Sequence, residues 1–430
     1  MTQRLYMQIY DYYKNLIESS KMEAGSRLPS IRQLAAERNV SRTTVETAYM
    51  CLCDDGYIIP KSQSGYFVSK RKVQSGKLSQ EDSESVKKEY MYDFTSSGVD
   101  PDSFDLSLWR RYLKSALRQT DRMLHYGKAQ GEEDLREEIA KFASQNRNCI
   151  CDKSNIVIGA GVQTLLQILC PLLPGERTVS FDDLSYVQGT SVFKNYGFDI
   201  KEKREDAGYI YVSPSYSSHW GDTMQINERF ALTEYARENN KYIIEDDYGS
   251  EFRYLNKPTP SLQGLAGGEN VIYIGTFSKL LLPSIRISYM ILPDRLSLVY
   301  TKQSYMYNQT VSRADQIALC SFIRDGHLSS QIKKSRKLYQ QKSQAFTDIL
   351  KKEIGKDLKI IKTDSPLFVC CDFPSEKSSN ELLSICRDRG LNYIDIDKKG
   401  NKIKIAFSIS SIPIAKMDEA AKILKEAIKS

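Results

Sequence analysis

Metal-binding residues are scarce in this chain. It has only three histidines, and none of its nine cysteines, at 51, 53, 149, 151, 170, 320, 370, 371 and 386, forms a Cys-x-x-Cys pair. Zinc ligation at the usual spacings is therefore excluded as an expectation, and no metal site is assigned. An odd cysteine count without a secretory leader points to reduced thiols and a cytoplasmic location. No apolar run approaches the roughly 18 residues of a membrane span. Charge of one sign is not concentrated either. The net charge is +7, and residues 1–72 hold 11 Lys/Arg against 7 Asp/Glu, or +4. That balance suits contact with DNA without establishing it. What the chain does have is size: 430 residues, 41% of them hydrophobic, are enough for two or three domains with a large core.

Residues 1–70 read as a small helical domain. Leu5, Ile9, Tyr12, Tyr13 and Leu16 recur at helical spacing. Gly25 and Pro29 interrupt the chain, and Ser30 then precedes Gln33 in a capping-box pattern that opens a second helix with Ile31, Leu34 and Ala35 inward. Asn39-Val40 makes a turn, and Ser41 caps a third helix with Val45, Ala48 and Leu52 inward. Arg42, Thr43, Thr44 and Tyr49 are left to face outward. A recognition helix presents that end to base edges in the major groove, where Arg forks onto guanine and Thr touches a thymine methyl. Tyr57-Ile-Ile, Lys-Ser-Gln-Ser-Gly65 and Tyr66-Phe-Val then spell a hairpin, a wing that reaches a phosphate or the minor groove. Helices, caps, turn and wing arrive in order, which a plain helical bundle does not require.

Residues 71–92 are polar and mixed in charge, as expected of a flexible linker, although a solvated helix also fits the second half. From residue 93 short apolar strands alternate with helical stretches. Strands are expected at 156–158, 178–181, 209–212, 242–244, 271–274 and 288–292, with helices at 132–143, 163–172 and 227–239. The alternation predicts an α/β domain with a largely parallel sheet, and ligand groups belong at the carboxyl ends of its strands.

Candidate residues fall at those ends. Asp246 follows one strand and suits the nitrogen of a pyridine ring, while Tyr248 can donate to the ring's phenolic oxygen. Lys279, 33 residues after Asp246, can form an imine with a pyridoxal aldehyde. Arg286 and the hydroxyls of Thr276 and Ser278 suit its phosphate. Gly159-Ala-Gly161-Val162-Gln163 opens a helix whose free N–H groups also suit a phosphate. A dinucleotide fingerprint is the competing reading of that loop, but its third glycine is missing. Tyr186 either stacks on the ring or is a core tyrosine.

Two resemblances follow. Pro29-Ser30-x-Arg32, Ser41-Arg42-x-Thr44-Val45 and Gly65-x-Phe67-Val68 resemble the winged-helix domain of the GntR regulators. That resemblance puts Arg32, Ser41, Arg42, Thr43 and Gly65 at DNA, with Ser30 and Thr44 beside them. From about residue 93 the chain resembles the fold-type-I aminotransferases, through Ile243-Ile-Glu-Asp246-Asp-Tyr248, Gly275-Thr-Phe-Ser-Lys279, Trp109 and His125-Tyr126-Gly127…Gly131-x-x-x-Leu135-Arg136. Together they resemble the MocR/GabR subfamily of GntR regulators. The fold so implied is multi-domain α/β: a winged helix-turn-helix, then a pyridoxal 5'-phosphate (PLP) domain with a mainly parallel sheet and a small C-terminal α/β subdomain at about 312–430. The resemblance also implies a head-to-tail homodimer in which Tyr126 reaches the partner's phosphate.

Some positions depart from the family pattern. The turn that supplies a cofactor contact in aminotransferases reads Ser213-Pro-Ser-Tyr216-Ser-Ser-His219-Trp220-Gly221. Lys404, in Lys404-Ile-Ala-Phe407, stands where relatives place the Arg that clamps a substrate carboxylate, and Lys cannot form that two-point fork. Gln188 stands where some relatives place a further Arg. Lys404 and Gln188 are the effector-contact candidates. The expected function is a DNA-binding transcriptional regulator whose PLP domain senses an amine, an amino acid or PLP itself, with little or no amino transfer. The alternatives are a working aminotransferase with an accessory DNA domain and an empty scaffold. The Asp246, Lys279 and Arg286 set argues against the scaffold.

Overall fold

The computed structural model describes residues 4–69, 90–95, 98–184, 186–202, 207–216, 223–253, 259–361, 363–399 and 401–429. Its contacts divide the chain into two units, residues 1–88 and 89–430.

The first unit packs α1 (Leu5–Glu18), α2 (Ile31–Arg38) and α3 (Arg42–Asp54) against a hairpin of β1 (Ile58–Lys61) and β2 (Gly65–Val68). Ser30 Oγ accepts from Gln33 N at 3.2 Å, and Ser41 Oγ from Thr44 N at 3.1 Å. These caps satisfy amides that the helices cannot satisfy themselves. Only half of the expected capping box forms, because the Gln33 amide turns instead to Glu37 at 3.0 Å. Asn39 ends α2 in the left-handed region, at φ 51°, and turns the chain into α3.

Two expectations about helix faces are corrected. Tyr49 does not face outward: it is fully buried, donates to Pro29 O at 3.0 Å and meets Tyr13 and Tyr66 edge-on. It lies one helical turn beyond Val45, so it falls on the inward stripe. On α1 the buried residues are Ile9, Tyr10 and Tyr13, while Leu5 and Tyr12 are exposed.

The second unit begins with β3 (Tyr92–Asp93), so Tyr92, the last residue of the expected linker, lies in a strand. Residues 71–89 of that expected linker lie outside the described residues. Next come α4 (Leu106–Leu117), α5 (Thr120–Met123), α6 (Glu133–Arg147), β4 (Ile156–Gly159), α7 (Val162–Leu169), β5 (Thr178–Phe181), α8 (Val187–Asn195) and β6 (Asp199–Lys201). They are followed by β7 (Tyr209–Val212), α9 (Ile226–Glu238), β8 (Tyr242–Asp247), α10 (Leu262–Leu265), β9 (Val271–Thr276), β10 (Ser288–Ile291), α11 (Asp294–Gln303) and α12 (Arg313–Arg324). The chain then runs through α13 (His327–Ile354), β11 (Lys359–Ile361), β12 (Phe368–Pro374), α14 (Ser379–Asp388), β13 (Leu391–Asn392), β14 (Ile394–Lys399), β15 (Lys402–Ser408) and α15 (Met417–Lys429).

Seven strands form the main sheet in the order β4-β10-β9-β8-β7-β5-β6. β10 runs antiparallel to both neighbours, and the remaining pairs are parallel. Apart from the edge strand β6, the strands are buried along nearly their whole length, as in sheets covered by helices on both faces. A smaller antiparallel sheet, β11-β12-β15-β14, has its own core. The 28-residue α13 joins the two: Leu328, Ile332 and Tyr339 pack in the main core, Phe346 and Leu350 in the smaller one. β3 pairs with β13, and Tyr92 and Phe94 are buried in the smaller core, so the N-terminal strand of this unit belongs to its C-terminal layer.

Candidate functional site

On the first unit, Arg42 and Thr43 are exposed at the start of α3, and Arg32 is exposed on α2. The hydroxyls of Ser41 and Thr44 lie 2.7 Å apart, so both are engaged in the cap. They fix the N-terminus of α3, while Arg42 and Thr43 stay free to reach a groove. In the wing Lys61 pairs with Gly65, which has φ 98°. A side chain there would be strained, and its Cβ would sit 3.6 Å from the Arg27 guanidinium. Arg27 is thus a second exposed cation beside the wing that the motif reading missed.

In the second unit the carboxyl ends of β4, β5, β8 and β9 carry the expected residues. Asp246 and Asp247 end β8 and, as successive strand residues, point to opposite faces. Asp247 is held from behind by Arg147 at 2.6 Å, Tyr273 at 2.6 Å, Ser215 at 2.8 Å and Ser250 at 2.9 Å. Burial alone would raise its carboxyl, but Arg147 and the hydroxyls overcome that and hold it below the ordinary value. Glu245, on the same face, accepts the amides of Leu262 and Gln263, both at 3.0 Å. This network fixes the strand end that presents Asp246.

Among the described residues Asp246 has no cationic partner. Tyr211, on the neighbouring β7, donates to it at 2.6 Å. Burial pushes the Asp246 carboxyl up from 3.8 to about 6, against the Tyr211 bond and aided by the charge of Asp247. Tyr186 lies beside Tyr211 with ring centroids 5.9 Å apart, and burial and the charge of Asp246 raise its hydroxyl. Tyr211 was missed because its place is set by the sheet order; a buried Tyr-Ile-Tyr-Val strand was its only trace in the sequence.

Lys279 is buried, with Nζ 3.3 Å from Ser410 Oγ and 5.6 Å from the centroid of the Tyr248 ring. Tyr216 packs on Tyr248 at 5.3 Å and bonds Ser365 at 2.8 Å. Of the departing turn, Ser213 to Tyr216 are described, whereas Ser217 to Gly221, His219 and Trp220 included, lie outside the described residues.

Arg286 and Gly161 come together although 125 positions separate them in the chain. A Cβ on Gly161 would fall 2.3 Å from Arg286 Nη2, and Gly161 itself has φ 99°, so only glycine fits here. Gly161 is the N-cap of α7, whose first residues are Val162 and Gln163. First-turn amides have no intrahelical acceptor, so their donors and the guanidinium converge on one place. Thr276 accepts from Ser288 at 2.9 Å and donates to Ser278 at 3.3 Å. The donor set suits a phosphate. An acid that burial keeps near pH 6 suits a cationic ring nitrogen, and a buried primary amine stands beside them. The residues present fit pyridoxal phosphate.

Other candidates lie elsewhere. Tyr126 is wholly exposed on the loop before α6. Arg313 fastens that loop by donating to Arg122 O at 2.6 Å and His125 O at 2.7 Å, and pairs with the buried Glu132 at 2.8 Å. Gln188 is exposed on α8. Lys404 is half-buried on β15, in register with Asp372 of β12. The residue of that segment that meets Lys279 is Ser410, just past the end of β15. Trp109 packs with Phe104 and Phe322 in the core, and the buried Arg136 donates to Gly131 O at 3.2 Å.

Residues 5–68 match the bacterial regulatory proteins of the gntR family, and residues 100–209 and 212–424 match the aminotransferases of class I and II. The HTH-type transcriptional regulator YdeL of Bacillus subtilis is 36% identical over 408 residues, covering 90% of this chain and 88% of the relative. The probable rhizopine catabolism regulatory protein MocR of Rhizobium meliloti is 25% identical over 432 residues, 92% of this chain and 87% of its own. Kynurenine aminotransferase of Pyrococcus horikoshii, at 22% identity, shares the fold with a TM-score of 0.67 over 78% of this chain and 90% of its own. A gntR-type DNA-binding domain joined to an aminotransferase fold defines a helix-turn-helix transcriptional regulator. The chain belongs to the MocR/GabR branch of that family.

Proposed function

We propose that the second unit of this regulator binds PLP at Lys279 and uses it to sense a small amine, an amino acid or the cofactor itself, and that this controls DNA binding by the first unit in the cytoplasm. The observation that carries the reading is the convergence of a buried amine, an acid raised to about 6 and the Arg286–Gly161 cradle. When bound, PLP supplies an aldehyde that reacts reversibly with primary amines. Lys279 would supply the primary amine, Asp246 the carboxylate for the ring nitrogen, and Arg286, Thr276, Ser278 and the amides of Val162 and Gln163 the grip on the phosphate. Tyr248 would donate to the phenolic oxygen and Tyr186 would stack on the ring. Tyr126 serves the partner's site in a head-to-tail homodimer, which its full exposure on a fastened loop favours.

Sensing rather than amino transfer follows from the clamp. Transfer needs the substrate's Cα–H bond held across the ring. Lys404 stands where relatives place the clamping Arg, and Lys cannot form the planar two-point grip. At the first unit, Arg32, Arg42, Thr43 and the wing at Gly65 contact DNA, on helices capped by Ser30 and Ser41. The test is a titration with PLP: the wild type develops a visible absorption band and changes its affinity for its promoter fragment, while Lys279→Ala does neither. A wild type that stays colourless in excess PLP overturns the reading.

A further inference from the structure

Several buried contacts meet at Ser410, just past β15. Its hydroxyl accepts from Lys279 Nζ at 3.3 Å and donates to Gly98 O at 2.7 Å. Its carbonyl accepts from Lys342 Nζ at 3.2 Å, and the same ammonium pairs with Asp100 at 2.5 Å. Asp100 N in turn donates to the Tyr339 hydroxyl at 3.3 Å. Ser410 and Lys342 are completely buried, and Tyr339 and Lys342 both stand on α13.

One of these partners, Gly98, belongs to a stretch that bonds the C-terminal layer at other points too. Tyr92 N and Phe94 N donate to Gly390 O at 2.9 Å and Asn392 O at 2.8 Å, and Phe94 O accepts from Ser408 N at 2.8 Å. The arm from Tyr92 to Asp100 is thus bonded to the segment Ser408–Ser410 at both Phe94 and Gly98. In sequence this arm is what the second unit attaches to the residues arriving from the DNA-binding unit.

A serine hydroxyl has a single hydrogen. Here that hydrogen goes to Gly98 O, the oxygen receives Lys279, and the Ser408 hydroxyl lies at 3.5 Å. A buried hydroxyl that loses such a partner is left with unsatisfied polar capacity, and its remaining bonds rearrange. Departure of Lys279 removes the cation that polarises this hydroxyl and so weakens its bond to Gly98 O. The Lys342–Asp100 pair, independent of Lys279, keeps the end of the arm fastened, so the disturbance is confined to a short stretch.

We propose that Ser410 is a positioning residue that holds the Lys279 amine and links its engagement to the arm at Gly98–Asp100, so that a ligand drawing the amine away from Ser410 loosens that arm. This deepens the reading of Lys279 as the ligand-bearing amine and rests on it.

Hydrogen–deuterium exchange on the full chain without cofactor tests the link, with amides of Val271–Ile274 in β9 as the folding control. Ser410→Ala and Lys279→Met each raise exchange at Gly98–Ser103 by roughly fivefold. Ser410→Thr, which keeps the hydroxyl, stays at the wild-type rate, and the double variant exchanges no faster than either single one. A second arm loads the protein with PLP and follows the pH midpoint of its visible band: Ser410→Ala shifts it, Ser410→Thr does not. Exchange that rises in Ser410→Ala but not in Lys279→Met, or effects that add in the double variant, overturns the link. Absence of any band in the wild type would sink the PLP reading, while the exchange arm still decides the role of Ser410.

Discussion

At the start of α3, Arg42 and Thr43 stand in water; at the ends of β8 and β9, Asp246 and Lys279 are buried. An exposed cation keeps its hydration until a partner arrives, so its contribution appears only on binding. A buried acid changes the empty protein as well, because folding removes its solvent whether or not a ligand is there. The DNA face should therefore be separable from stability, and the ligand site should not.

The sharpest break in that comparison is Asp246→Asn. The Asp246 carboxyl rises from 3.8 to about 6 on folding, so the folded chain binds this proton more tightly than the unfolded one. The stability it contributes is fully present below about pH 4 and is lost as pH rises through 6. The shift corresponds to on the order of 3 kcal/mol. Without cofactor, Asp246→Asn is expected to be more stable than the wild type by up to that amount at about pH 7.5 and to lose the advantage toward pH 4. Its PLP affinity should fall at least tenfold. Urea unfolding at both pH values and a PLP titration check this; equal stability at the higher pH would mean that burial does not strain the acid.

Arg42→Ala probes the other side. It should weaken specific DNA binding by roughly 1–3 kcal/mol and relax base preference. Thermal stability should stay within about 0.5 kcal/mol of the wild type, as for other exposed changes. Footprints and melting curves on the same preparation check both halves. A smaller effect is expected where the DNA unit itself uses burial: Tyr49→Phe removes the bond to Pro29 O and should cost about 1 kcal/mol of stability. Its melting curve checks this, with DNA contacts otherwise unchanged.

The same contrast governs what was legible in the sequence. Local patterns carried the caps at Ser30 and Ser41, the Asn39 turn, the wing and the strand ends bearing Asp246 and Lys279, because each depends on a few neighbouring residues. The misplaced faces of Tyr49, Leu5 and Tyr12 show the margin of that approach: one helical position separates the inward stripe from solvent. What could not be read was brought in by other layers of the fold. Tyr211 reaches Asp246 because β7 lies beside β8, and Ser410 reaches Lys279 from the smaller sheet.

The most direct test of the account is to reduce the purified protein with borohydride in the presence of stoichiometric PLP and map the modified peptide by mass. A single pyridoxyl group on Lys279, abolished by excess free primary amine before reduction, is the predicted result. Label spread over surface lysines, or a Lys279 peptide left unmodified, would contradict the account.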